Sequence, residues 1–162
     1  MVKVLILYNS LFGNTKIVAE KLALGIKENV SLVEVLNIDE IDPESLIEYD
    51  FIAIGGPTHN IGLSKDMKDF FRNKVKHVKL KGKRGFAFDT RKESRMNNTK
   101  YLMFENSAAR KIESKMKRMK IKIIKPRESA LIEPDRKGPL KPGVAEQFVL
   151  IGKEIGKKLV TC

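Results

Sequence analysis

Apolar and polar positions follow two alternating patterns along the chain. Lys3-Val4-Leu5-Ile6-Leu7-Tyr8 is an apolar run of strand length, and the segment Ser10-Leu11-Phe12-Gly13-Asn14-Thr15 breaks it with hydroxyl, amide and glycine residues. Val18, Leu22, Gly25 and Ile26 then recur on one face of a helix. The same succession repeats. Leu32-Val33-Glu34-Val35-Leu36 predicts a second strand, Phe51-Ile52-Ala53-Ile54 a third and Gly85-Phe86-Ala87-Phe88 a fourth. Ile121-Lys122-Ile123-Ile124 with Ala130-Leu131-Ile132 supplies a fifth, interrupted near Pro126. Between strands, Pro43 suits the first position of a short helix, and Ser64 caps a helix bearing Met67, Phe70, Phe71 and Val75. Ala108, Ile112, Met116 and Met119 trace another, and Val144, Phe148, Ile151, Ile155 and Leu159 trace the last.

Strands alternating with helices predict an α/β fold with a five-stranded parallel sheet covered on both faces, a three-layer sandwich. Right-handed crossovers allow the order 2-1-3-4-5, whose switch point lies between strands one and three. A chain of 162 residues, 42% hydrophobic and 32% charged, suits a single domain spanning residues 1–162. The Pro and Gly cluster from Pro134 to Gly143 reads as a loop within it. No apolar run approaches the roughly 20 residues of a membrane span, and the first element is a strand, so a cytoplasmic protein is expected. One cysteine, Cys162, and two separated histidines, His59 and His77, argue against a disulfide framework or a zinc cluster.

The segment after the first strand has the character of an anion site. Free backbone amides at a helix start favour negative charge, Gly13 permits close approach, and Ser10, Asn14 and Thr15 add side-chain donors. The endings of a P-loop and of a dinucleotide fingerprint are both absent. An apolar strand ending in Tyr8, then Ser10-x-x-Gly13-Asn14-Thr15, then Ala19 and Leu22, resembles the phosphate loop of the flavodoxin family. The order 2-1-3-4-5 requires the loop after strand three to lie beside this one. Gly55-Gly56-Pro57-Thr58-His59-Asn60-Ile61-Gly62 is rich in turn residues and resembles the second flavin-contacting loop of that family. The resemblance implies a flavodoxin-like fold and FMN as cofactor. It implies contacts from Ser10, Phe12, Gly13, Asn14, Thr15, Pro57, Thr58, His59, Asn60, Ile61 and Gly62, with the His59 ring beside the flavin edge.

The third loop departs from well-studied flavodoxins. Asp89-Thr90-Arg91-Lys92-Glu93-Ser94-Arg95-Met96 carries no aromatic residue, and the chain has no Trp. Phe88-Asp89-Thr90-Arg91 and Gly138-Pro139-Leu140 resemble a group of small prokaryotic flavodoxin-like proteins, which adds Asp89, Thr90 and Arg91 to the implied cofactor contacts. Asp89 is expected to fix the loop, and no catalytic residue is assigned.

Charge is unevenly spread. Residues 1–76 carry 9 Lys/Arg against 11 Asp/Glu and residues 77–162 carry 23 against 9, giving net charges of −2 and +14. The dense part, residues 79–127, predicts a basic flank beside the crevice. Three readings compete: a solvated surface, a dock for an acidic redox-partner protein, and nonspecific, salt-sensitive nucleic-acid binding. Positive charge from Arg91, Lys92 and Arg95 would make the low-potential flavin couple less reducing than in acidic relatives. Taken together, the residues and the resemblance imply an FMN-binding electron carrier. The alternatives are an NAD(P)H-dependent quinone or FMN reductase, and a flavin-free interaction module.

Overall fold

Runs that are apolar at every position become the inner strands of one parallel sheet. The computed structural model describes residues 1–58, 62–92, 107–135 and 137–161. Strand β1 (Lys3–Tyr8) pairs with β2 (Leu32–Asn37) on one side and β3 (Phe51–Pro57) on the other, and β3 pairs with β4 (Arg84–Lys92), all in parallel. The order is β2-β1-β3-β4-β5, which leaves the switch point between β1 and β3 as the sequence predicts. β3 is buried over its first six residues, whereas β2, at the sheet edge, has only exposed or partly buried positions.

The fifth position beyond β4 is occupied by two short strands. β5 (Lys122–Ile123) pairs with Arg84 and Gly85, and β6 (Glu128–Ile132) pairs with Phe88 through Lys92. The break falls where Pro126 cannot donate to the ladder. Glu113, almost fully buried, holds the gap in place: Arg127 N donates to its Oε2 at 3.0 Å and Arg127 Nη1 to its Oε1 at 3.1 Å.

Alternation of side chains places two cores on opposite faces. Val4, Ile6, Phe86 and Phe88 meet α1 (Asn14–Ile26) and α4 (Val144–Val160); Leu5, Leu7, Ile52 and Ile54 meet α2 (Lys65–Asp69) and α3 (Ala108–Arg118). α1 and α4 lie in backbone contact. A Cβ built at Gly25 would meet the Val149 carbonyl, and Lys153 N at 2.8 Å.

Two elements depart from expectation. The amphipathic pattern after Ser64 predicts one continuous helix, but α2 ends at Asp69 and a π-turn covers Phe70–Lys74. Phe70 and Phe71 are adjacent and both buried, and the wider turn, closed by Val75 N donating to Phe70 O at 3.2 Å, accommodates both rings on the core side. β3 and β4 also run further than the apolar residues do. Gly55-Gly56-Pro57 and Asp89-Thr90-Arg91-Lys92 extend the strands because their ladders continue. Among the described residues no helix is long and apolar enough to cross a membrane.

Candidate functional site

The carboxyl ends of β1, β3 and β4 lie side by side, and polar side chains bond them to one another. Asn9, just after β1, is buried; its amide donates to Gly55 O at 3.0 Å and its Oδ1 accepts from Ser64 Oγ at 2.6 Å. This ties the first loop to the end of the second. Thr15, in the first turn of α1, shares a buried hydroxyl contact of 2.9 Å with Thr90 on β4. Between the second and third segments, Thr58 N donates to Thr90 O at 2.9 Å and Thr58 Oγ1 donates to Asp89 Oδ2 at 2.8 Å.

The first loop presents backbone more than side chain. Gly13 sits at the cap of α1 with φ 94°, a left-handed conformation that favours glycine, and a Cβ there would meet nothing within 4 Å. The surface above it is therefore open. Ser10 Oγ accepts from Gly13 N at 2.9 Å and keeps its own proton to donate. The amides of Asn14, Thr15 and Lys16 are first-turn groups for which the helix supplies no acceptor, and the helix dipole adds partial positive charge there. Asn14 Nδ2 donates to Lys137 O at 3.0 Å, and Gly138, at φ 96°, packs so closely that a Cβ would lie 2.6 Å from Asn14 Nδ2. The loop before α4 thus closes one side of the anion site.

The third segment is a strand end whose alternate residues serve opposite faces. Thr90 points toward α1. Asp89 points toward α3 and is fully buried, with Oδ2 accepting from Ala109 N at 3.1 Å as well as from Thr58. Thr58 Oγ1 in turn accepts from Ala108 N at 3.0 Å, and Ser107 Oγ from Arg110 N at 3.2 Å, so three side chains cap the start of α3. Burial raises the Asp89 pKa above its ordinary 3.8, against smaller downward pulls from Ser129, Ala109, Thr58 and Arg91. Asp89 Oδ1 has no hydrogen-bond partner among the described residues; the Ser129 hydroxyl, cross-strand from Asp89, acts on the carboxyl without closing a bond to that oxygen. Arg91 Nε donates to this same Ser129 at 3.0 Å, which directs its side chain toward β6.

The residues singled out from sequence are therefore distributed as follows. Ser10, Phe12, Gly13, Asn14 and Thr15 form the first loop and first helical turn, with Phe12 about half exposed. Pro57, Thr58 and Gly62 belong to the second segment, and Asp89, Thr90 and Arg91 to the end of β4. His59, Asn60 and Ile61 lie outside the described residues, as do Arg95 and Met96. The sequence did not single out Asn9 or Lys111, and marked Gly138 only as part of the Gly138-Pro139-Leu140 resemblance, not as a neighbour of Asn14. The Lys111 side chain lies over Gly62, where a Cβ would meet Lys111 Cε at 2.9 Å and also its Nζ. Ser64 was legible only as a helix cap, a role it performs toward Met67 N at 3.3 Å while also bonding Asn9.

Comparison with known proteins agrees with this architecture. The Flavodoxin domain family matches residues 5–123. The probable flavodoxin 1 of Bacillus subtilis (strain 168) is 33% identical over 89 residues, covering 54% of this chain and 56% of that protein. A flavodoxin of Aquifex aeolicus (strain VF5) is 41% identical over 73 residues, covering 44% and 39% respectively. The matched segments thus span about half the length of these relatives or less. Among solved structures, a flavodoxin from the domain Archaea superposes with a TM-score of 0.76 at 22% identity, covering 98% of this chain and 99% of that one. With the family match covering most of the chain and the sheet order as required, the chain belongs to the flavodoxin family.

Proposed function

We infer that the chain binds FMN in the crevice between the segments 10–15 and 57–62 and carries electrons between redox partners. The observation that carries this is the convergence of the β1, β3 and β4 ends around an open α1 start, with Gly13 at φ 94° and nothing within 4 Å of its Cβ position. The donor set fits a phosphate monoester. The Ser10 hydroxyl and the first-turn amides of Asn14, Thr15 and Lys16 would hold it, while Asn14 and Thr15 are themselves held by Lys137 and Thr90. Phe12, Pro57, Thr58, His59, Asn60, Ile61 and Gly62 would border the ring system, with Asp89, Thr90 and Arg91 as the third segment of the site. FMN, when bound, supplies reversible electron uptake and release; the chain binds and orients it and shields one side from water.

Residues 1–162 act as a single domain in this reading, a cytoplasmic carrier whose partner is an acidic redox protein meeting the basic flank around residues 79–127. Adding FMN, FAD and riboflavin separately to apo-protein and following flavin fluorescence tests the assignment. Selective binding of FMN is expected, and equal binding of riboflavin would remove the phosphate site. Steady NADH or NADPH oxidation by FMN-loaded protein with a quinone acceptor would replace the carrier with a reductase.

A further inference from the structure

The cations of the basic half do not form a uniform field. Glu113 takes Arg127 Nη1 at 3.1 Å and Lys117 Nζ at 3.3 Å, and Lys125 Nζ lies 3.0 Å from Glu154 and 3.9 Å from Glu128. These charges are neutralised within the fold. Lys120 and Lys122 sit beside the start of β4, where Gly82 N donates to Lys120 O and Lys122 N to Lys83 O. Lys79 and Lys81 precede that same strand. That end of a parallel sheet is opposite the crevice.

A different group lines the outer face of α3, starting at the crevice rim. Lys111, Lys115 and Arg118 occur at i, i+4 and i+7 along α3, hence on one face of it, and Arg72 reaches them from the π-turn after α2. Lys111 lies against Gly62 of the second loop, so the stripe begins at the crevice rim and runs about 10 Å down the helix. Lys115 Nζ sits 5.8 Å from the centroid of the Phe71 ring. Burial, then the charges of Arg118, Arg72 and Lys111, lower its pKa, so the other three cations bear on Lys115. Arg72, Lys115 and Arg118 make no ion pair with any described acid. Like charges held together in this way destabilise the free protein, and a docked anion relieves them.

We propose that Arg72, Lys111, Lys115 and Arg118 form the docking face for an acidic patch on a protein partner, placing that partner at the second-loop side of the crevice. This narrows the partner surface of the carrier reading and rests on that reading only for its electron-transfer consequence. A protein surface fits better than a nucleic acid. The stripe is short, and its one aromatic residue, Phe71, is buried beneath Lys115 and offers no platform for a base.

The test uses the full chain at low ionic strength with a fluorescent poly-L-glutamate peptide and a single-stranded oligonucleotide of equal charge. Arg72→Gln/Lys115→Gln/Arg118→Gln removes three stripe cations, and Lys79→Gln/Lys81→Gln/Lys122→Gln removes three from the far end. The stripe variant should weaken peptide binding about tenfold and the control less than about twofold. Arg72→Lys/Lys115→Arg/Arg118→Lys, which keeps every charge, should bind as the wild type does and separates lost charge from lost packing. Equal weakening by the two neutral variants, no peptide binding by the wild type, or tighter oligonucleotide binding through the same residues would each overturn the proposal. FMN fluorescence measured in parallel keeps the two readings apart, because an FMN-negative wild type that still binds the peptide through the stripe refutes only the cofactor.

Discussion

Replacing Asp89 by Asn removes a titratable proton from the most buried polar position of the site while keeping its shape. Asp89 is fully buried, Oδ2 accepts from Thr58 Oγ1 at 2.8 Å and Ala109 N at 3.1 Å, and Oδ1 has no hydrogen-bond partner among the described residues. The Asn carbonyl can take over the Oδ2 bonds, and its amide can donate toward the Ser129 hydroxyl. Asp89→Ala can do neither. It strands the Ala109 amide and the Thr58 hydroxyl, at about 1–3 kcal/mol for each buried unsatisfied group, a large share of a typical stability of about 5–15 kcal/mol. The pH dependence has a definite sign. Burial raises the folded pKa above 3.8, so between the two values the folded state holds a proton that the unfolded state has released. Stability from this group is complete below the unfolded value and declines as pH rises through the folded one, by about 1.4 kcal/mol per pH unit inside that window. Asp89→Asn should therefore match or exceed the wild type at pH 8 and lose that advantage toward pH 4. Urea denaturation of both proteins between pH 4 and 8 measures the difference, in which all other titrations cancel. A wild type that instead gains on the variant as pH rises would show a stabilised carboxylate and refute the reasoning.

Gly25→Ala drives a methyl group into the Val149 carbonyl at the α1–α4 contact; overpacking of this kind costs about 1–3 kcal/mol, and a Tm lowered by several degrees is expected by calorimetry. Thr15→Val leaves the Thr90 hydroxyl buried without its 2.9 Å partner, so each single Val variant should lose about 1–3 kcal/mol, the double little more than one single, and a double-mutant cycle in denaturant reads the coupling directly. Glu113→Gln releases Arg127 and Lys117 and should destabilise by about 1–2 kcal/mol, less at 1 M salt because both cations reach solvent. If FMN is bound as proposed, Lys111→Gln, beside Gly62, should move its midpoint potential further negative than Arg91→Gln, whose side chain is directed to Ser129; spectroelectrochemical titration at low salt compares them.

The strands were legible because β1 and β3 are buried on both faces and must be apolar at every position, and the break near Pro126 was legible because proline lacks a donor. What the sequence conceals is polar burial. Asp89, Thr90 and Arg91 read as loop, yet the β4 ladder continues through them because Thr15, Thr58 and Ser129 satisfy their side chains from other elements. Glu113 lies off the apolar positions that trace its helix in the sequence, yet it is the buried support of a broken strand. Lys117 is its i+4 neighbour, but Arg127, which holds it at the strand break, lies 14 residues away and past the end of the helix, outside any local period. Asn14 meets Lys137 across 123 residues, a contact no spacing rule could foretell. Charge behaves similarly. The excess of lysine over residues 79–127 was visible, but which of those cations are neutralised depends on Glu113, Glu128 and Glu154, and the stripe along α3 draws in Arg72 from outside that range.

The bonds beneath the crevice form a closed figure. Asn9 with Ser64 joins the first segment to the second, Thr15 with Thr90 the first to the third, and Thr58 with Asp89 the second to the third. Two of the three pairs of strand ends are also held by parallel pairing, β1 to β3 and β3 to β4, whereas β1 and β4 are not neighbours in the sheet. Cutting one edge of such a triangle leaves its two ends connected through the third corner. Asn9→Ala, Thr15→Val and Thr58→Val should thus each weaken ligand binding in a graded way, while any two together should cost more than their sum, because only the second cut frees a segment. Fluorescence titration with FMN on the three singles and three doubles measures this. Strict additivity would mean that the strand ladders alone position the loops and that the polar triangle serves only to satisfy buried groups. Under the closed-figure account the ends are ordered before any ligand arrives, so binding does not have to supply that ordering free energy.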